Sequence, residues 1–566
     1  MNEIIQMYIT ITKKKYKETY HKQILLRESY REDGKVKSRT IANLTKQPKE
    51  QVEAIALSLK NLKNGDEPLV SSKEQKQGYS VGFSLIVIFI MKLLSIFNAL
   101  DKSYRAKIAM VLIASRVIIQ GSRIQALYWA KSEDKILDLL NFSKDEKDKL
   151  DRKTIYYGLD YLEENRIKIE DKLFRSFYKN SPPKRVFYDV TSSYVEGEYS
   201  NSELAEYGYN RDKKKGKKQI VIGLLTDENG HAISIDTYKG NTNDVQTFTD
   251  QLDKLKQRFR LENITIVGDG GMIKSDDIIK VKELGYDYIT SIGKPSIRKL
   301  IEDKKSKIDM SLFDEDLKEI IEDGTRYILR CNPRRRDEIR ETTKSKIERL
   351  EEFVKVKAEY YNTHYKAKSE TMTNNINKKI ASLKLKKFIS YTTSYEDGDC
   401  KTKDRDGNSV TKSKPLVSIE IIEDREAKAK AEELDGCYVV KTSLTNSSKE
   451  SKEEIHKAYK TLIKVENAFK TLKTDFLEIR PLYLKSDKRI RGHVFLSMLA
   501  YNIVLKLKGY IGLCKLDFKS TTRQLSAIKT VINPLTTDFS FETIPDVNDN
   551  LNRLFERMGF KLPSRI

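Results

Sequence analysis

The chain is poor in the residues that staple or ligate. It has four cysteines in 566 residues. Cys331, Cys400, Cys437 and Cys514 stand dozens of residues apart, with no C-x2-C pair and no neighbouring histidine. That excludes a disulfide framework and predicts a reducing compartment and no structural zinc. The five histidines, His21, His231, His364, His456 and His493, do not cluster in sequence either. Long apolar runs are missing: the best, residues 81–91, ends at Lys92, far short of the ~20 residues a spanning helix needs. Residues 1–15 are polar and carry no apolar stretch of the kind a secretion signal requires, so neither secretion nor membrane insertion is expected. Phosphate loops are absent too. A G-x-G-x-x-G pattern starting at Gly268 would need its last glycine at Ile273, and Lys274-Ser275 lacks the preceding glycine of a P-loop. No internal repeat or low-complexity tract stands out.

What is present is positive charge. Lys and Arg total 106 against 83 Asp and Glu, a net charge of +23, which points to a polyanionic partner, nucleic acid first. Hydrophobic residues make up 39% and charged ones 33%, which describes a folded chain with a very polar surface rather than a disordered one. The length suggests about three or four domains and ample material for a core.

Residues 7–44 alternate as short strands with a turn at Asp33-Gly34 and lead through a basic stretch to a helix over 50–62. Residues 80–179 read as helical around Trp129, with start signals at Ser132-Glu133-Asp134 and Ser143 to Glu146. After Pro182-Pro183 the pattern changes. Residues 184–195 form a strand, 219–225 and 231–238 a hairpin, and 244–259 a helix. A strand over 264–267, a helix stopped at Gly285 and a strand over 287–292 complete the order β-β-β-α-β-α-β. A meander followed by βα units makes an RNase H-like layered α/β sheet the natural packing. Residues 294–435 break the alternation with a charged helical stretch over 333–387 and a Gly/Asp/Lys-rich loop around 397–414, which reads as an insertion. Helices follow over 454–476 and from Asp487. The expected organisation is an N-terminal β-hairpin module for DNA binding (1–75), a helical domain (76–180), the RNase H-like core in two parts (181–295 and 438–515) around an insertion domain (296–437), and a C-terminal region (516–566).

Three acidic residues stand out by context. Asp189 lies within an otherwise apolar strand, where a carboxylate needs a metal ion or a hydrogen-bond network to compensate it; an ordinary strand-end Asp is the bland alternative. Asp269, in Gly268-Asp-Gly-Gly271, follows a strand at its carboxyl end, where α/β sheets hold ligands; a plain Asp-Gly turn is the alternative. In the helix over 454–476, Ile455, Tyr459, Leu462, Phe469, Leu472 and Phe476 recur at steps of three or four, and Glu466 falls on that core-directed face. Tyr459, Glu466 and Lys473 are each seven apart, close to two helical turns. The alternative is a rotated helix with Glu466 paired to Lys470 on the surface. Three converging carboxylates repel unless cations lie between them. Oxygen-only ligands and phosphate chemistry favour Mg²⁺, with Mn²⁺ as substitute, as two ions about 4 Å apart.

At these residues the chain resembles the DDE transposases of bacterial insertion sequences, in the IS-four-like group and its IS-sixteen-thirty-four branch. The signature Y-x2-R-x3-E-x6-K matches Tyr459, Glu466 and Lys473, with Leu462 where the wider group has Arg and Lys464 nearby. Further matched stretches are Phe187-Tyr-Asp189-Val-Thr191, Gly208-Tyr-Asn-Arg-Asp212, Gln219-Ile-Val-Ile-Gly223, Gly240-Asn-Thr242, Val267-Gly-Asp269-Gly-Gly-Met272, Arg480-Pro-Leu-Tyr483 and Ile490-Arg-Gly-His493. Gly270 stands where the family commonly has Arg. The resemblance implies that Asp189, Asp269 and Glu466 are the catalytic and metal-holding triad and that a homodimer acts on paired ends of double-stranded DNA, the terminal inverted repeats and a target. Cytoplasmic, nucleoid-associated work is expected.

For DNA contact, Arg211, Lys213, Lys214, Lys215, Lys217 and Lys218 crowd the loop between the first two core strands with one acid among them, suited to tracking a phosphate backbone. Tyr459, Lys464 and Lys473 are candidates beside Glu466. Residues 333–336, residues 485–491 and His493 are further ones. The leading reading is a Mg²⁺-dependent transposase that cleaves element ends and joins the 3′-hydroxyls to target DNA. A domesticated DNA-binding protein, and a metal-dependent nuclease without strand transfer, are the alternatives.

Overall fold

In the computed structural model the described residues are 3–16, 19–32, 35–64, 75–209, 211, 214, 216–303, 305–403, 405–446, 449–473, 479, 481–534 and 540–565. The chain is mixed α/β and divides into two units, one of residues 1–264 with 463–566, the other of residues 265–462.

The first unit opens with β1 (Glu3–Tyr16), β2 (Thr19–Glu32) and β3 (Lys35–Asn43), an antiparallel sheet of three strands rather than a hairpin. β3 was hidden in the basic stretch because its side chains are exposed almost throughout, so no apolar alternation marks it. Asp33 and Gly34 lie outside the described residues. Helix α1 (Lys49–Asn64) follows, and Val52 and Ile55 bury against Leu26 and Leu44.

Next come α2 (Gly82–Leu93), α3 (Tyr104–Ile118), α4 (Arg123–Ser132) and α5 (Tyr157–Phe177), with Trp129 buried among them. Ser143 and Glu146 make the expected capping box. The signal at residues 132–134 follows the end of α4 at Ser132 and leads into a single short helical turn, Ile136–Leu139; between the two, Asp134 accepts the Ser84 hydroxyl at 2.7 Å.

Strands β4 (Arg185–Tyr194), β5 (Gln219–Asp227) and β6 (Ala232–Lys239) form an antiparallel meander, with Asp189 opposite Leu224 and Val190 opposite Gly223. Helix α6 (Asp244–Asp253), capped by Asn243, continues into a π-turn over Lys254–Arg258. A buried ionic network ties α5 to this region. Glu170 takes Arg258 at 2.8 Å, Arg166 reaches Asp236 at 3.1 Å, and Lys254 pairs with Asp236.

In the second unit β7 (Thr265–Val267) and β8 (Asp287–Ile292) are parallel, linked by α7 (Ser275–Glu283) as a βα unit. β9 (Lys318–Glu322) and β10 (Thr325–Cys331) extend the sheet, and β15 (Cys437–Thr442) pairs antiparallel with both β10 and β8. Between β10 and β15 lie α8 (Pro333–Thr363), α9 (Ser369–Leu383), β11 (Ile389–Glu396), β12 (Asp399–Lys403), β13 (Ser409–Ser413) and β14 (Leu416–Glu423). The segment expected as a loop at 397–414 is therefore a β-hairpin, β12 with β13, standing beside the pair β11–β14. These elements have their own core around Leu350, Ile376 and Ile380. Lys414 is buried there, its ammonium donating to the carbonyls of Tyr361 and His364 at 2.6 and 2.8 Å, where α8 ends. Cys331 and Cys437 face each other across β10 and β15 as free thiols, and burial pushes the Cys437 thiol up to about 12, which keeps it protonated.

The helix expected over 454–476 is two helices. α10 (Lys452–Thr461) closes the second unit, and α11 (Ile463–Lys473) reopens the first; Leu462 is the break, and Phe476 lies outside the described residues. α12 (Asp487–Leu513) then runs along α5 and α3. Its length and apolarity would suffice to cross a bilayer, but most of its apolar stretch is buried in the unit's core.

Candidate active site and nucleic-acid surface

Strand β4 places Asp189 between buried Tyr188 and Val190, itself half-buried, with Oδ1 accepting the Val190 N–H at 2.8 Å. Helix α11 packs on β4 in the same unit. Its buried face is Val465, Ala468, Phe469 and Leu472. Glu466 is exposed and does not share that face. The apolar positions expected inside are buried, Ile455, Leu462, Phe469 and Leu472 among them, and Leu462 keeps helical dihedrals; but the buried stripe passes through Val465, which leaves Glu466 beside it on the exposed flank and not on the core-directed face. Glu466 sits in the first turn of α11, where the helix dipole favours a carboxylate. Tyr459, half-buried, belongs to α10 in the other unit, whereas Lys473 ends α11.

Asp269 belongs to the second unit, immediately beyond β7. It is exposed, and its Oδ1 accepts the Gly270 N–H at 2.7 Å and the Ser291 hydroxyl at 3.4 Å. Its own carbonyl accepts the N–H groups of Met272 and Ile273, which closes the turn. The structure thus brings the strand of Asp189 and the helix of Glu466 together in one unit and carries Asp269 in the other. Among the described residues no group of three or more His, Cys, Asp and Glu side chains stands close enough to hold a metal ion.

The predicted cations fall into two sets. Arg211 donates its N–H to Ser192 Oγ at 3.0 Å, its guanidinium meets Asp244 at 2.5 Å, and Lys217 pairs with Glu196 at 2.6 Å. Lys214 and Lys218 lie over the rings of Tyr194 and Tyr207; Lys213 and Lys215 lie outside the described residues. The other set is engaged in holding the first unit together. Lys464 donates to the Glu228 carbonyl at 2.8 Å in the β5–β6 turn. Lys488 meets Glu164 at 2.6 Å, Arg489 grips Asp160 at 3.0 and 3.1 Å, and Arg491 donates to the Thr237 carbonyl at 2.7 Å. In the second unit Arg334 and Arg335 pair with Glu338 along their own helix. His493 is not a DNA contact: it is buried, and desolvation with Arg116 and Arg123 nearby holds it well below the usual range and neutral.

Comparison with known proteins decides the family. The model of the transposase DDE domain matches residues 180–503, more than half of the chain. That of the IS1634 family transposase N-terminal domain matches residues 9–74. The chain belongs to the DDE transposases, in the IS1634 group. No curated protein matches it. Among solved structures, the Mos1 transposase paired-end complex with left transposon end is similar at 12% identity and a TM-score of 0.14, over 43% of this chain and 68% of that one.

Two departures from the family pattern have physical causes in this transposase. A Cβ at Gly270 would stand 2.2 Å from the Ser291 carbonyl oxygen, so this backbone admits no side chain there, least of all Arg. Leu462 is buried at the break between α10 and α11, a place that favours an apolar side chain. Ser291 and Glu228, which touch Asp269 and Lys464, were not foreseen. Ser291 owes its place to β8 lying beside β7 and Glu228 to the turn between β5 and β6, and neither carries a local sequence signal.

Proposed function

We propose that this transposase binds the terminal inverted repeats of an insertion sequence, hydrolyses the phosphodiester at each end and transfers the freed 3′-hydroxyls to target DNA. The observation that carries the reading is the DDE-domain match over residues 180–503, a span that includes Asp189, Asp269 and Glu466. The core is read as RNase H-like, on the antiparallel meander β4–β6 and the parallel βα unit β7–α7–β8.

Asp189, Asp269 and Glu466 would hold Mg²⁺, or Mn²⁺ in its place, as two ions. The donors suit a hard cation: all three are carboxylates, none is fully buried, and Asp189 and Asp269 are each oriented through Oδ1 by a backbone N–H. When bound, such ions activate the attacking oxygen and stabilise the leaving one. The protein's part is to orient the carboxylates through the Val190 and Gly270 amides and to hold the DNA backbone with the Arg211 to Lys218 loop. The N-terminal module is read as the repeat-binding element. Between residues 3 and 43 it has ten basic residues to five acidic ones. A homodimer working at the nucleoid in the cytoplasm completes the reading.

The test is Asp189→Asn, Asp269→Asn and Glu466→Gln. Each is expected to abolish cleavage while end binding stays within a few-fold of wild type in gel-shift titration. Cleavage that persists in all three variants contradicts the triad.

A further inference from the structure

Two large rings stand in solvent beside the strand of Asp189. Tyr207 is 63% and Tyr209 83% exposed, and both lie in the loop between β4 and β5. Their backbone is anchored. Gly208 is pressed so closely on the chain that a Cβ there would lie 2.0 Å from the Gly240 carbonyl oxygen. Glu206 and Gln219 exchange backbone hydrogen bonds at 3.1 and 2.9 Å. The Gln219 side-chain amide donates to the carbonyls of Tyr209 and Gly240 at 3.1 and 2.7 Å. On the far side, the Arg211 N–H is fixed on Ser192, three residues along β4 from Asp189. Each ring carries a cation of the same loop: the Arg211 guanidinium lies 5.9 Å from the Tyr209 centroid and the Lys218 ammonium 5.9 Å from that of Tyr207.

Exposed tyrosines contribute nothing to a core, and here tight backbone contacts hold them outward. An exposed π-face flanked by cations fits a nucleobase with its phosphate. Bases inside a duplex already stack on both sides, so the base that gains from a protein ring is an unpaired one. We propose that Tyr207 and Tyr209 form a stacking platform for unpaired nucleotides of DNA held next to β4, with Lys214 and Lys218 neutralising the adjoining phosphates. The proposal rests on the transposase reading and adds to it a single-stranded substrate segment.

The test uses the full chain with two probes, a blunt duplex carrying the flank of the gene and the same duplex with a single-stranded 3′ extension bearing 2-aminopurine. The wild type, Tyr207→Phe and Tyr209→Phe are expected to quench the 2-aminopurine, and Tyr207→Ala and Tyr209→Ala to lose the quenching. The alanine variants should also bind the extended probe roughly 5- to 100-fold more weakly, as expected for one lost base stack. Their dependence of affinity on salt should be unchanged, whereas Lys218→Ala should lower it. The Phe variants separate stacking from misfolding, since they keep the ring. Alanine variants that quench and bind like wild type overturn the platform. Metal-dependent cutting of the blunt flank by the wild type, assayed in parallel, tells the two readings apart. Cutting without tyrosine-dependent quenching removes only the platform, while wild type that neither binds nor cuts removes the transposase reading and the platform with it.

Discussion

Gly270 shows how a single position shapes the acidic turn. Its missing side chain lets Asp269 approach Ser291, and a methyl group there would collide with a backbone oxygen. Gly270→Ala is expected to cost about 1–3 kcal/mol and to reduce DNA cleavage, because the turn bearing Asp269 must shift; an unchanged melting temperature and cleavage rate would contradict this. Asp134 gives a pH signature. Burial pushes its carboxyl up to about 7, against the opposing effect of the Ser84 hydroxyl that Oδ1 accepts. Between its ordinary value and about 7 the folded state binds more protons than the unfolded one, so stability falls as pH rises through that window. Asp134→Asn is expected to flatten that decline in urea titrations from pH 4 to 8; an undiminished slope would show that other groups set it. At this scale the sequence was informative about residue types and less so about their surroundings. Asp189 and Asp269 stood out by context alone, but Glu466 was argued inward on a periodicity that the apolar side chains do follow while Glu466 falls one position beside their stripe, next to buried Val465.

At the scale of elements, helix α5 is bound to β6 and the turn after α6 through Glu170, Arg166, Arg258, Asp236 and Lys254. Glu170 is completely buried with Arg258 against it. Removing one partner leaves an uncompensated charge, so Glu170→Ala should destabilise by about 3–5 kcal/mol, read by chemical denaturation. A loss under 1 kcal/mol would mean that water or a shifted side chain compensates Arg258. The strands β4 to β8 were legible because short apolar runs bounded by turn residues mark them, and the structure buries those runs almost throughout. β3, β12 and β13 were not: they are polar, exposed hairpin strands held by backbone pairing, and a sequence pattern that depends on burial cannot register them. The residues 485–491 looked like a DNA-binding run for the converse reason. Charge is visible in sequence, whereas the acidic partners Asp160 and Glu164 on α5 are more than three hundred positions away.

For the whole molecule, the net charge of +23 makes DNA affinity depend steeply on salt. If about 6 to 10 phosphates are neutralised, affinity should fall by some 10³ to 10⁵ between 50 and 200 mM salt; a nearly flat dependence would argue against backbone tracking. The central claim is metal-dependent end cleavage followed by joining. Its most direct test is to incubate the protein with DNA carrying the flanks of its own gene, with Mg²⁺ or with EDTA, beside Asp189→Asn, and to map product ends by sequencing. Cuts at the flanks that require Mg²⁺, vanish in the variant and lead to joined target DNA are the expected result. DNA that is bound but never cut with Mg²⁺ present would contradict it.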